Sequence, residues 1–293
     1  MSNPPATTHP LVVKLGGALL DDAAHYGSVF CALAELHAAT ADGIVIVHGG
    51  GKAVDRHLDA LGLATERRDG IRITPPAVVE QVTAVLAGAV NTRLLGLLLS
   101  RGAPAVGLTL CDGHLAHAAR CTRYAFDPGS VGELTHGTGA LVHHLLHGGY
   151  LPVLSSIGLD AQGNMLNINA DDAAAQIAGI VGARGLLLLT DVPGVRGPDG
   201  RIVPTLTAAE AEAHISTGVI NGGMTAKVRG AVQAAELAGV PVVIASWADP
   251  AALSALAHGG QVGTRVLPAR TGAPAGVPAA APAASLTEVP SHA

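Results

Sequence analysis

The sequence predicts an α/β protein built on a mostly parallel sheet, and three observations predict it. Runs of β-branched and aliphatic residues without polar alternation, Ile44–Val47 and Leu186–Leu189 among them, read as strands buried on both faces. Segments with apolar residues at helical spacing separate those runs nearly throughout, as parallel strands joined by crossover helices require. Two of the strands, Leu11–Leu15 and Ile44–Val47, pass directly into glycine (Gly16-Gly17 and Gly49-Gly50-Gly51) and then into a helix-like segment. Open α/β sheets bind ligands at the carboxyl ends of their strands, so the paired glycine loops mark a site. Bare backbone N–H groups at a helix start bind anions, phosphate above all.

At 293 residues, 49% hydrophobic but only 2% aromatic, the chain can bury an aliphatic core as one large domain or two lobes. A net charge of −5 argues against nucleic acid as the main partner. No apolar run approaches the ~20 residues that span a bilayer, and the first residues, with Pro4, Pro5 and Pro10, lack the apolar core of a targeting peptide. Cys31, Cys111 and Cys121 are odd in number and irregular in spacing, which suits a reducing compartment. The expectation is a soluble cytoplasmic protein with no membrane partner.

Taken in order, Asp21 or Asp22 is placed to cap a helix reaching Ala39, and Asp42-Gly43 ends it before the second strand. A helix follows from about Ala53 to Leu61, then a short polar turn and strand, Glu66–Thr74, that carries Arg72. Pro75 and Pro76 open a long helix with Val78, Val82, Val85, Leu86, Val90, Leu94 and Leu97 on its apolar face. That helix is a candidate subunit interface as well as a candidate core helix. Ala105–Leu110 reads as a strand and Asp112-Gly113 as a hairpin turn. Leu151–Leu154 and Met165–Ile168 are further strands. Asn169 is placed as an N-cap with Asp171 in the first helical turn, where acids are favoured. Thr207-Ala208-Ala209-Glu210 is a capping box, Asn221–Gly223 introduces the helix of Lys227, and Val242–Ser246 and Thr264–Leu267 close the strand count. From Ala269 onward the Ala/Pro-rich composition reads as a disordered tail, 269–293.

Lysine usage points to the chemistry. Lys14, Lys52 and Lys227 are the only lysines, and each stands within a few residues of a glycine turn. An ammonium meets a transferring phosphoryl group differently from a planar guanidinium. Lys14 and Lys227 are therefore catalytic candidates, whereas Lys52 begins a helix, where a cation is disfavoured. Asn167, Asn169 and Asp171 form a polar cluster at a strand-to-helix junction, and an aspartate there could hold two lysines in place. Cys111, His114, His117 and Cys121 have loose zinc spacing, but strand alternation sends His114 to the opposite face from Cys111 and His117. Neither the dinucleotide fingerprint, the Walker P-loop nor the nucleophile elbow occurs.

In order along the chain stand Lys14-Leu15-Gly16-Gly17, His48-Gly49-Gly50-Gly51, Gly70-Ile71-Arg72-Ile73-Thr74, Asn167-Ile168-Asn169-Ala170-Asp171, Asp191-Val192-Pro193-Gly194 and Gly222-Gly223-Met224 with Lys227. The ordered set, over roughly Leu11 to Leu267, resembles the amino-acid kinase superfamily, and within it the N-acetyl-L-glutamate kinases of arginine biosynthesis. The resemblance implies a three-layer αβα sandwich over residues 11–268, with acetylglutamate bound in the half 11–180 and ATP in the half 181–268. It implies Mg²⁺ carried by ATP and phosphorylation of the side-chain carboxylate. Lys14 and Lys227 would be catalytic, with Asp171 orienting both. Gly50, Gly51, Arg72 and Asn167 would hold the acetylglutamate. Gly16, Gly17 and Gly49 would cradle phosphate, and Asp191, Val192, Pro193, Gly194, Val195, Arg196, Val219, Ile220 and Asn221 would line the ATP site. Thr225-Ala226 before Lys227, Pro75 after the arginine turn and Leu110-Cys111 before Asp112 depart from the family pattern. Arginine-inhibited members carry an extra N-terminal helix, and the residues before Lys14 cannot supply one, so a homodimer insensitive to arginine is expected. A same-fold kinase acting on an aminoadipate derivative and a non-catalytic nucleotide-binding regulator remain as alternatives.

Overall fold

The computed structural model describes residues 8–21, 26–68, 70–257 and 260–269. Asp22 as a helix cap and the tail beyond Ala269 lie outside the described residues. An eight-stranded sheet runs in the order Thr205–Leu206, Thr264–Val266, Val242–Ser246, Gly185–Thr190, Leu11–Leu15, Ile44–His48, Leu151–Ser155, Ala105–Leu108. Every neighbouring pair is parallel except Val242–Ser246 with Thr264–Val266.

Alternation along the central strands sends side chains to two separate cores, one on each face. Val12, Val45, Val47, Leu186 and Leu188 pack with Ala173, Ala174 and Ile177 of helix Ala170–Ile180 and Val228 and Ala231 of helix Gly223–Ala238. Leu11, Val13, Ile44, Ile46 and Leu187 pack on the other side, with Phe30 and Leu33 of helix Gly27–Ala39 and Leu94 and Leu98 of the long helix. Strands apolar at every position are what a sheet covered on both faces needs, so the three-layer αβα arrangement follows.

The long helix is continuous over Pro76–Leu99, and its middle, Ala84–Val90, is wound as a π-helix. Its buried residues Val82, Leu86, Val90, Leu94 and Leu98 recur at every fourth position. A straight helix of about 3.6 residues per turn cannot keep that period, and the wider π turns absorb the drift. Leu98 is the fully buried position there, and Leu97 packs partly buried against the same core. With mean hydropathy 1.7 over its most apolar window, this helix is long and apolar enough to cross a membrane by length and composition, contrary to the expectation that no run approached that size. Its buried face belongs to the second core.

Two other expectations are corrected. Asp21 ends a short helix, Gly17–Asp21, and a separate helix occupies Gly27–Ala39. Asp112-Gly113 is not a hairpin turn. The Asp112 carboxylate accepts from the Thr109 N–H at 2.8 Å and its hydroxyl at 2.6 Å, closing a one-turn 3₁₀ segment, Asp112–His114. That turn steers the chain out of the main sheet, and Ala116–Arg120 pairs with Val131–Gly137 in a second, four-stranded sheet with Met165–Ile168 and Ile157–Leu159. Glu66–Arg68 and Ile71–Ile73 form a two-stranded ribbon.

Candidate active site

Register aligns the loop exits. Leu15 lies beside His48 on one side and Leu189 on the other, so Gly16-Gly17, Gly49–Gly51 and Thr190-Asp191 leave the sheet at the same edge. The two glycine loops then face each other. A Cβ added to Gly17 would stand 3.8 Å from the Gly51 backbone nitrogen, and one added to Gly49 would stand 3.1 Å from the Ala170 Cβ.

Beneath the second loop His48 is fully buried. Its Nδ1 lies 2.9 Å from the Gly49 carbonyl and its Nε2 2.9 Å from Asn91 Nδ2. A carbonyl only accepts, so the network assigns the proton to Nδ1, leaving Nε2 to accept from the amide. Asn91 also donates to the Val153 carbonyl at 3.1 Å, tying the long helix to the sheet under the glycines. Burial lowers the His48 pKa to about 4, with the Gly49 hydrogen bond opposing, so the imidazole is neutral near neutral pH.

Lys14 sits two residues beyond Val12 on the same face of its strand, which aims it at the start of helix Ala170–Ile180. Its ammonium lies 2.8 Å from Asp171 Oδ1, with the lysine side chain 16% exposed. The Asn169 side-chain oxygen accepts from the Asp171 N–H at 2.9 Å and the Asp172 N–H at 3.2 Å, the cap that fixes this turn. Lys227, the fifth residue of helix Gly223–Ala238, pairs with Asp191. Its hydrogen bond, ahead of a weaker opposing effect of burial, holds the Asp191 carboxyl below the ordinary range. Asp171, expected to orient both lysines, pairs here with Lys14, while Lys227 pairs with Asp191. Lys52 is exposed, 3.8 Å from Asp21.

Two clefts open at this edge and share Asn169 in their common wall. The larger, about 510 Å³, brings together Lys14, Gly16, Gly17, Asp171, Asp191 and Lys227. The smaller, about 160 Å³, brings together Gly49, Gly50, Gly51, Arg72 and Asn167. Arg72 is buried and donates to Asp55 Oδ1 at 2.6 Å and to the Gly51 carbonyl at 2.9 Å. Asn167 donates to Thr74 Oγ1 at 3.1 Å. Other expected positions fall elsewhere. Val195 and Ile220 are core side chains, and Pro193 borders a separate recess with Ile202 and Arg265. Val192, Gly194, Arg196, Val219 and Asn221 lie in the adjoining loops and are not among the lining residues of the larger cleft.

Sequence reasoning missed Asp55, Arg67, Arg123 and Trp247, all of which touch a cleft or its ligand-facing groups. Arg67 had a signal, since it stands in the same short ribbon as Arg72. Asp55 had none, because its role depends on helix Gly51–Ala60 lying against that ribbon. The cysteines of the loose zinc set separate: Cys111 Sγ meets the Leu159 backbone and Cys121 Sγ meets Glu133. His117 stacks between His114 and His136.

Comparison with known proteins names the class. A family model, the amino acid kinase family, matches residues 10–246, and the chain belongs to that family. Among its curated relatives is an acetylglutamate kinase of Vibrio cholerae serotype O1, 43% identical over 261 residues, covering 88% of this chain and 97% of the relative. An acetylglutamate kinase of Moritella profunda is 42% identical over 259 residues, covering 88% and 97%. Among solved structures, N-acetylglutamate synthase from Neisseria gonorrhoeae with coenzyme A and N-acetyl-glutamate superposes with TM-score 0.72 at 25% identity, covering 88% of this chain and 59% of that one. An isopentenyl phosphate kinase, at 21% identity and TM-score 0.57 over 88% of this chain and all of that one, shares the fold.

Proposed function

We propose that this protein transfers the γ-phosphoryl group of ATP to the side-chain carboxylate of N-acetyl-L-glutamate, an early step of arginine biosynthesis. The observation that carries the reading is Lys14, held by Asp171 in the larger cleft, whose wall shares Asn169 with the smaller one. A carboxylate oxygen of the acceptor attacks the γ-phosphorus, the bond to the β,γ-bridging oxygen breaks, and N-acetyl-L-glutamyl 5-phosphate and ADP form. The acceptor is already ionised at neutral pH, so no general base is needed. The obstacle is repulsion between two anions, and the remedy is positioning and fixed positive charge. Lys14 and Lys227 supply that charge from opposite sides, and the backbone N–H groups of the glycine loops complete the cradle. Lys227 gives up Asp191 for phosphate when nucleotide binds.

The carboxylates nearest the transfer point are engaged by lysine or arginine, and no group of three His, Cys, Asp or Glu able to hold a metal occurs among the described residues. Mg²⁺ would arrive with the ATP phosphates and neutralise part of their charge. Acetylglutamate occupies the smaller cleft, with Arg72 and Asn167, and the nucleotide the larger. Residues 11–180 and 181–268 divide between these tasks. The protein works as a cytoplasmic homodimer through the outer face of the long helix, where Ala84, Ala89, Gly96 and Leu99 are exposed; a hexamer in light scattering would refute that assembly.

The test is ATP-dependent hydroxamate formation with N-acetyl-L-glutamate, Mg²⁺ and hydroxylamine, beside Lys14→Ala. Product from the wild type and little from the variant supports both reaction and site. Silence with acetylglutamate but product with an aminoadipate derivative would move the acceptor.

A further inference from the structure

Arg67 and Arg72 stand directly opposite each other in the register of the two-stranded ribbon. Like charges in that position repel, and a two-stranded ribbon has little else to offset the cost. One carboxylate answers both. Asp55 Oδ1 accepts from Arg72 at 2.6 Å and Oδ2 from Arg67 at 2.8 Å. Burial alone would raise the Asp55 carboxyl, but the two guanidiniums outweigh it and keep it below the usual range. Two cations on one anion leave the group with a net charge of about +1.

That surplus faces the acceptor cleft. Both arginines line it, and a Cβ added to Gly51 would stand 3.7 Å from the Arg67 terminal nitrogen and 3.9 Å from that of Arg72. The two arginines differ in how much they have left to give. Arg72 spends donors on Asp55, Gly51 and Thr65, whereas the described hydrogen bonds of Arg67 use one terminal nitrogen, on Asp55. Arg67 is also the more accessible, at 43% against 8%.

We propose that Arg67 is a specificity-determining residue that reads the non-reacting carboxylate of the acceptor together with Arg72. The inference rests on the acceptor assignment above. Asp55 holds the two guanidiniums as a preorganised fork, and the ligand's own carboxylate supplies the second negative charge that the ribbon lacks. An acidic acceptor with a second carboxylate is thereby selected over one whose second group is neutral.

The experiment compares two acceptors, N-acetyl-L-glutamate and its α-amide, which keeps the reacting carboxylate but loses the other. Steady-state constants are measured for wild type, Arg67→Gln, Arg67→Lys and Arg68→Gln. Arg68 carries the same charge on the same ribbon but lies over Phe126, beside Glu66. Arg67→Gln raises KM for acetylglutamate about tenfold, the equivalent of one lost charged contact, with kcat little changed. Arg67→Lys recovers part of that loss, and Arg68→Gln leaves KM near wild type. With the α-amide, wild type and Arg67→Gln have the same KM. An equal rise for both acceptors, or no rise, overturns the inference while acetylglutamate turnover by the wild type leaves the functional reading standing. A wild type inactive on acetylglutamate overturns the functional reading, and the inference with it.

Discussion

Replacing His48 by glutamine should flatten the acid side of the protein's stability profile. In the folded protein the imidazole titrates at about 4, against 6.5 when free. Because the folded value is the lower, the unfolded chain binds the extra proton, and stability falls as pH falls below the unfolded value. One pH unit corresponds to about 1.4 kcal/mol, so between about pH 6.5 and pH 5 this one residue costs the wild type about 2 kcal/mol. Glutamine can donate to the Gly49 carbonyl and accept from Asn91 without titrating. His48→Gln therefore loses a constant increment at every pH, and its deficit relative to wild type shrinks by about 2 kcal/mol over that window. Urea unfolding followed by the fluorescence of Trp247, the only tryptophan, measures both proteins at several pH values. Carboxylates and the other histidines titrate in both and cancel. Wild-type and variant profiles that stay parallel from about pH 7.5 to about pH 5 would refute the buried neutral assignment.

Two local substitutions test the frame around the site. Asn169→Ala removes the cap that aligns Asp171 and should cost about 1 kcal/mol, lowering the thermal midpoint by about 2–4 °C in calorimetry, with activity falling further than stability explains. Gly263→Ala should be far worse, about 2–4 kcal/mol in urea titration: φ is +59° there, and a Cβ would sit 1.9 Å from the Ile244 carbonyl oxygen. An alanine variant of near wild-type stability would refute that close approach in the turn before Thr264–Val266.

Much of the fold was legible because it is written in local pattern. Leu11–Leu15, Met165–Ile168 and Val242–Ser246 have the bounds their apolar runs predict. The Thr207–Glu210 capping box and the Asn169 cap form as their spacing requires. Failures came where a distant group decides. Asp112-Gly113 is the local exception: it has hairpin composition, yet its carboxylate closes on Thr109 three residues back and the chain turns into another sheet. The partner of Lys227 is Asp191, 36 positions away in sequence, and no spacing rule reaches across the intervening strand and helix. Asp55 looks like one more acid on a helix exterior until the ribbon folds over it. The length of the long helix was legible in its apolar spacing, but its π turns, which keep the buried stripe continuous, were not.

Leu11–Leu15 lies in the middle of the sheet although it is the first strand of the described residues. Ile44–His48 reaches one of its edges soon after, but the other edge waits for Gly185–Thr190. At ribosomal speeds of about 5–20 residues per second, the gap between the two strands is roughly 10–35 s. For that time a strand that is aliphatic apart from Lys14 has an unpaired edge and no cover from the helices that follow Gly185–Thr190. Parallel pairing of this range is also intrinsically slow to nucleate. The emerging chain is thus most exposed to aggregation before residue 190, for a reason set by strand order rather than by final stability.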